Sequence, residues 1–297
     1  MRLAVIGLLA LSGLVWAADL KDTYGSLKEA FEKKDYAQVK ALAAETAKEA
    51  QELAKEAQPS DASLMDAWKG RQQFAKDSQE YAEYALAVSA SQAGDPAVTI
   101  ELTDALIAQN PKSDQIDTAA PQYLAALGKQ GAGKAAAGAN KILVGRPENE
   151  YALDTAARNW SSPGPALTAA NRLIGVLGKK KKPEGMSDAD WQKTKSDMLG
   201  SAYVSAGVLQ AGASRWADAD RSLKGALPLV GGNPTMLSYT YYYLGVSNYQ
   251  MGKLTADKSK MLAGVQYTEK AVSTSGPMQG QASNNVAIMK HEMAGGR

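Results

Sequence analysis

The 297 residues predict an all-α chain, a row of stacked antiparallel helix pairs forming an α-solenoid. Three observations carry that expectation. Hydrophobic residues make up 45% of the chain but include only two Phe, so the apolar content is mostly Ala and Leu. Those are the strongest helix formers, and the β-branched and aromatic runs that mark strands are scarce. Past the N-terminus one punctuation recurs: two amphipathic runs, a short turn containing Gly, Asp or Asn, and often a Pro after the second run. There is also no Cys, so the fold is held by packing without disulfides.

The chain opens MRLAVIGLLALSGLVWAADL, with a positive Arg2, an apolar stretch from Leu3 to Val15 and small residues at Ala17 and Ala18. This reads as a secretory signal peptide over 1–17, cleaved after Ala17, since the stretch is short for a bilayer span. The expected product is periplasmic or extracellular, and without Cys it is not a lipoprotein. No later stretch is long and apolar enough to suggest a transmembrane helix. Removing 1–17 takes away Arg2 and leaves 32 basic against 31 acidic side chains, net +1. That balance argues against nucleic acid as a partner.

Helix pairs then follow in order. AFEKKDYAQVKALAAETAKEAQELAKEA turns at Asp35-Tyr36 into a long, charged second helix. Residues 81–113 turn at Gly94-Asp95-Pro96, where Pro suits the first position of a helix, and stop at Asn110-Pro111. Residues 119–149 end at Arg146-Pro147 and contain GKQGAGKAAAG, one residue short of a phosphate-binding loop. Ala135 stands where that loop needs a Ser or Thr hydroxyl for Mg²⁺, and the preceding PQYLAAL reads as a helix rather than a buried strand. Gly131 and Gly133 are therefore expected in an inter-helix turn, with Lys134 solvated. The Lys179–Lys182 run, beside Pro183, Gly185 and the helix-starting Ser187, reads as a solvated loop over 179–187.

Beyond the loop the pattern sharpens. In 203–227, Tyr203, Ala206 and Gly207 precede a GASRW turn and then Trp216, Ala219, Leu223 and Ala226 on one stripe. In 241–254, Tyr241 is followed by Leu244, Gly245 and Tyr249, with a stop at Gly252 expected as a left-handed C-cap. A polar LTADKSK insertion then precedes a helix from Met261 to Val272, and a capping helix is expected near Ser283–Met293.

The spacing in these last two copies resembles the tetratricopeptide repeat, whose first helix carries W-x-x-L-G-x-x-Y before a Gly-containing turn. The resemblance implies five or six helix pairs, degenerate over 18–178 and better defined over 188–275, with 276–297 as cap and tail. It further implies a concave groove, lined by the first helices, that binds a protein or peptide partner. The residues it assigns to that groove are Tyr239, Tyr242, Val246 and Tyr249, with Tyr81, Tyr84 and Val88, then Ala152 and Asn159, in weaker copies. Each tyrosine either faces the groove or packs between repeats, and the sequence leaves both open.

Catalytic chemistry is thinly supplied. There is no Cys, and the single His291 lies near the end of the chain. The nearest carboxylate pairs, Asp188/Asp190 and Asp218/Asp220, are two apart and point in different directions on a helix. The expectation is a non-enzymatic binding or scaffolding module of the cell envelope, without cofactor or metal. The alternatives are a self-associating structural subunit and a helical-repeat hydrolase using groove carboxylates.

Overall fold

The computed structural model describes residues 3–183 and 185–295, with side-chain surroundings from Ala17 onward. The side chains before Ala17, and with them most of the expected signal segment, lie outside the described residues. Within these bounds the chain is all-helical, with thirteen α-helices and no strand. They are α1 (Leu3–Glu32), α2 (Tyr36–Ala54), α3 (Met65–Gln92), α4 (Pro96–Gln109), α5 (Ile116–Lys129), α6 (Ala132–Gly145), α7 (Glu150–Ala157), α8 (Pro163–Lys179), α9 (Asp188–Gly212), α10 (Trp216–Ala226), α11 (Pro234–Thr255), α12 (Lys258–Ser273) and α13 (Gln279–Met293). None of the described helices is long and apolar enough to cross a membrane.

The chain divides into two compact units, 1–149 and 150–297. In the first, α1 to α6 each pack on the next, and α1 also touches α3, α3 touches α5 and α2 touches α4. In the second, α7 to α13 each pack on the next, and α7 touches α9, α9 touches α11 and α11 touches α13. Described packing starts at the N-terminus with Ala17 and Leu20 against Ala50, Leu53 and Ala75.

One turn recurs in both units. Lys34, Gly94, Ser214 and Ala256 are left-handed, at φ 56°, 69°, 58° and 52°, and each sits two residues before a helix starts. After three of them the next N–H reaches back five residues: Asp35 to the Ala30 carbonyl, Arg215 to Gln210 and Asp257 to Gly252. This is the Schellman arrangement, which satisfies carbonyls left over at a helix end. The following residue then starts the next helix, and Asp35, Asp95 and Asp257 accept from its first-turn N–H groups.

Two expectations are corrected here. The 241–254 helix does not stop at Gly252; α11 runs to Thr255, and the left-handed residue is Ala256. LTADKSK is accordingly no insertion, since it spans the end of α11, a two-residue turn and the start of α12. Gly252 has another use. A Cβ there would lie 2.6 Å from the Met261 nitrogen, so the glycine admits the backbone of α12. Gly245 does the same, with a Cβ placed 2.1 Å from Thr268 Oγ1, and on α12 a Cβ at Gly264 would meet the Tyr249 nitrogen at 2.6 Å. Three glycines thus bring α11 and α12 to backbone contact.

Candidate partner-binding surface

The tyrosines of α11 form a row that continues onto Trp160 in the α7–α8 turn and onto α13. Tyr239 meets Trp160 edge-on at 5.1 Å and lies nearly parallel to Tyr243 at 6.5 Å, while Tyr242 is edge-on to Tyr243 at 5.0 Å. Tyr239 and Tyr243 are one helical turn apart, so they share a face. All three are half-buried, and burial pushes the Tyr242 and Tyr243 phenols up. Trp160 Nε1 donates to Ser205 Oγ at 3.2 Å, anchoring the row on α9.

At the other end the row meets α13. The Tyr242 hydroxyl accepts from Asn285 Nδ2 at 2.9 Å, and Val246 packs with Tyr249, Val265 and Met289. Tyr249 is only 3% exposed, so it does not face an open surface as the resemblance implies. Its hydroxyl is shared between the Met289 carbonyl at 3.1 Å and the Glu292 carboxylate at 3.0 Å. Burial, then the Glu292 contact, pushes that phenol up to about 12.

In the first unit Tyr81 and Tyr84 belong to a second aromatic cluster. Tyr24 meets Phe74 at 5.7 Å and Tyr81 at 5.2 Å, and Phe31 meets Tyr81 at 6.2 Å and Tyr84 at 5.7 Å. Lys28 Nζ stands 4.4 Å from the Tyr24 ring centre and 5.6 Å from that of Tyr81. Tyr84 is the most open of these, at 41% exposed, and Val88 is half-buried. Tyr24, Lys28 and Phe31 were not singled out from sequence, because α1 reaches the cluster from some fifty residues away. Their spacing of four and three residues places them on one helix face, which was the available signal.

The two remaining groove residues do not lie on an open helix face. α7 ends at Ala157, so Asn159 lies in the turn that follows, where its Oδ1 accepts from Ser161 Oγ at 2.6 Å. Ala152 is fully buried.

The motifs that invited other chemistry have structural uses. Gly131, at φ 126°, caps the start of α6, so GKQGAGK spans the end of α5, a two-residue Gln130-Gly131 turn and the first turn of α6; Gly133 therefore lies in the helix and not in the expected turn, and Lys134 is exposed beside it. Within the basic run, Lys180 is more than a solvated charge: it pairs with Glu150, which is 3% exposed, and Lys182 pairs with Asp188 at 2.6 Å. Ser187 caps α9, and its hydroxyl lies 2.6 Å from Asp190. Asp218 is held below the ordinary carboxylate range by Arg215 and Arg221, and Asp220 pairs with Lys224 and accepts from Asn248. The buried Asp154 is engaged by Arg158, whose Nε also reaches Ser201; burial pushes its carboxyl up against that pull. A third buried carboxylate, Glu83, accepts from Asn110 at 2.9 Å and Ser113 at 2.5 Å. His291 is exposed on α13.

No protein-family model matches the chain, and no curated protein matches it.

Proposed function

We propose that the chain is an exported, non-enzymatic binding module, an α-solenoid of tetratricopeptide-like repeats that recognises a protein or peptide partner on a face that the odd-numbered helices share within a unit. One observation carries this reading. In each unit the odd-numbered helices touch one another, and they bear most of the aromatic residues that meet ring to ring: Tyr24 and Phe31 on α1, Phe74, Tyr81 and Tyr84 on α3, and Tyr239, Tyr242 and Tyr243 on α11. A tyrosine on such a face offers a large apolar ring with few rotatable bonds and a hydroxyl for a polar partner. The repeated left-handed turn supports the repeat architecture, and the thirteen described helices group naturally as six pairs and a final helix.

The test is an affinity capture from envelope extract with residues 18–297, beside a variant carrying Tyr84→Ala and Tyr239→Ala and shown by circular dichroism to be folded. A partner held by the parent and lost by the variant supports recognition on this face; equal capture by both refutes it. Export is tested separately by N-terminal sequencing of the secreted product, which is expected to begin at Ala18. A self-associating subunit is the second reading, favoured by the exposed Leu254, Leu262, Ile288 and Met293 on the last three helices. Light scattering that gives a dimer or larger species would move the assignment to it.

A further inference from the structure

We infer that α13 is an intramolecular ligand of the α11–α12 platform, and that the partner of this face is a helix presenting the same side-chain pattern, which must displace α13 to bind. This rests on the binding function proposed above and names its partner class and its control.

Three of the four α11 residues assigned to a binding face are occupied by α13. Tyr242 holds Asn285, Val246 packs in the cluster containing Met289, and Tyr249 bonds to the Met289 carbonyl and Glu292. The occupant presents Ala282, Asn285, Val286, Met289 and Glu292, a spacing of three, four, seven and ten residues that lays one helical face on a groove. The groove has therefore already selected a ligand chemistry: small and flexible apolar side chains, one amide, and an acid at the C-terminal end to meet Lys253 and Tyr249.

The way α13 is held differs from the way its platform is built. α11 and α12 are zipped at backbone contact through Gly245, Gly252 and Gly264. On α13 only Ala282 and Met289 are buried, and its one internal glycine, Gly280, has open space around its Cβ position. Polar latches supply much of the remainder. They include the Asn285 and Tyr249 bonds, the Gln279 Nε2 bond to the Val272 carbonyl at 2.9 Å and the Met278 N–H bond to Ser238 Oγ at 3.2 Å, and two exposed ion pairs, Lys253–Glu292 at 2.9 Å and Lys290–Glu269 at 2.7 Å. Exposed ion pairs add little stability, and such a contact resembles an exchangeable interface more than a core. The platform stays formed while its occupant can leave.

The probe is a labelled synthetic peptide of residues 277–297, titrated against the intact chain, against a chain ending at Gly276, and against a full-length Ala282→Glu chain. Ala282→Glu dislodges α13 without shortening the protein. Circular dichroism establishes that each is folded. Saturable binding to either opened chain, at least about tenfold tighter than to the intact chain, is expected, because the resident helix taxes the apparent affinity by the fraction of chains that are open. A folded opened chain that does not bind the peptide, or binds it no better than the intact chain does, overturns the inference. Hydrogen exchange on the intact chain needs no variant: α13 is expected to exchange at least about tenfold faster than α11 and α12, and equal protection also overturns it. A cellular partner captured equally by intact and opened chains defeats this inference and leaves the proposed binding function standing. Peptide binding with no partner that depends on the tyrosine face defeats that function, and with it the partner named here, and leaves standing that α13 is an exchangeable ligand of the platform.

Discussion

At Gly245 and Ala256 the same physical rule gives opposite consequences. Ala is a better helix former than Gly by about 1 kcal/mol, yet a Cβ at Gly245 would sit 2.1 Å from Thr268 Oγ1 and 2.9 Å from its backbone nitrogen. Gly245→Ala is therefore expected to lower stability by about 2 kcal/mol in urea denaturation, overpacking outweighing propensity. Ala256 carries a left-handed backbone that suits Gly, so Ala256→Gly is expected to raise stability by about 1 kcal/mol in the same assay. The α13 latch adds a pH dependence. Lys253 first, then Tyr249, holds the Glu292 carboxyl below its ordinary value, and His291 acts in the same direction. A depressed folded-state pKa means the contribution is present above the unfolded value near 4.5 and is lost as pH falls through the folded one. Tyr249, raised to about 12, contributes below its unfolded value near 10 and loses that contribution as pH climbs toward 12. Glu269 and Lys290 form the flanking pair on the α12 side. Methyl NMR of Met289 is expected to report release of α13 in acid, with a smaller acid response in Tyr249→Phe.

The elements are joined by turns whose residues were partly legible. Asp35 and Asp95-Pro96 are legible because a side-chain N-cap and a Pro at the first helical position are local signals, and the GASRW turn is legible from its Gly between two apolar-periodic runs. Lys34, Ser214 and Ala256 escaped notice because nothing in their side chains advertises a positive φ; the surrounding helix ends impose it. Gly252 was misread for the converse reason, as its role is contact with α12 and not backbone conformation. The loop after α8 shows how one lysine of a run can differ from the others. Lys180→Ala leaves the buried Glu150 carboxylate without its ammonium partner and is expected to cost about 3 kcal/mol, while exposed Lys181→Ala is expected to stay within about 0.5 kcal/mol. Chemical denaturation of the two single variants side by side checks this.

For the whole molecule, helices that pack chiefly on their sequence neighbours give each unit a core of its own. Residues 18–149 and 150–297, expressed separately, are each expected to show helical circular dichroism and a cooperative melt; a fragment that stays unfolded on its own would show that its stability is borrowed. Sequence by itself determined the helical class and several of the turns between helices, among them those at Asp35, Asp95-Pro96 and GASRW, because propensity, caps and periodicity are carried within a few residues. Only the tertiary structure decided which tyrosines remain accessible. Tyr249 and Tyr84 carry the same side chain on similar helices, and one is buried under α13 while the other is 41% exposed. What separates them is the presence of a covering element contributed from forty residues away, and the local pattern of a helix holds no record of it.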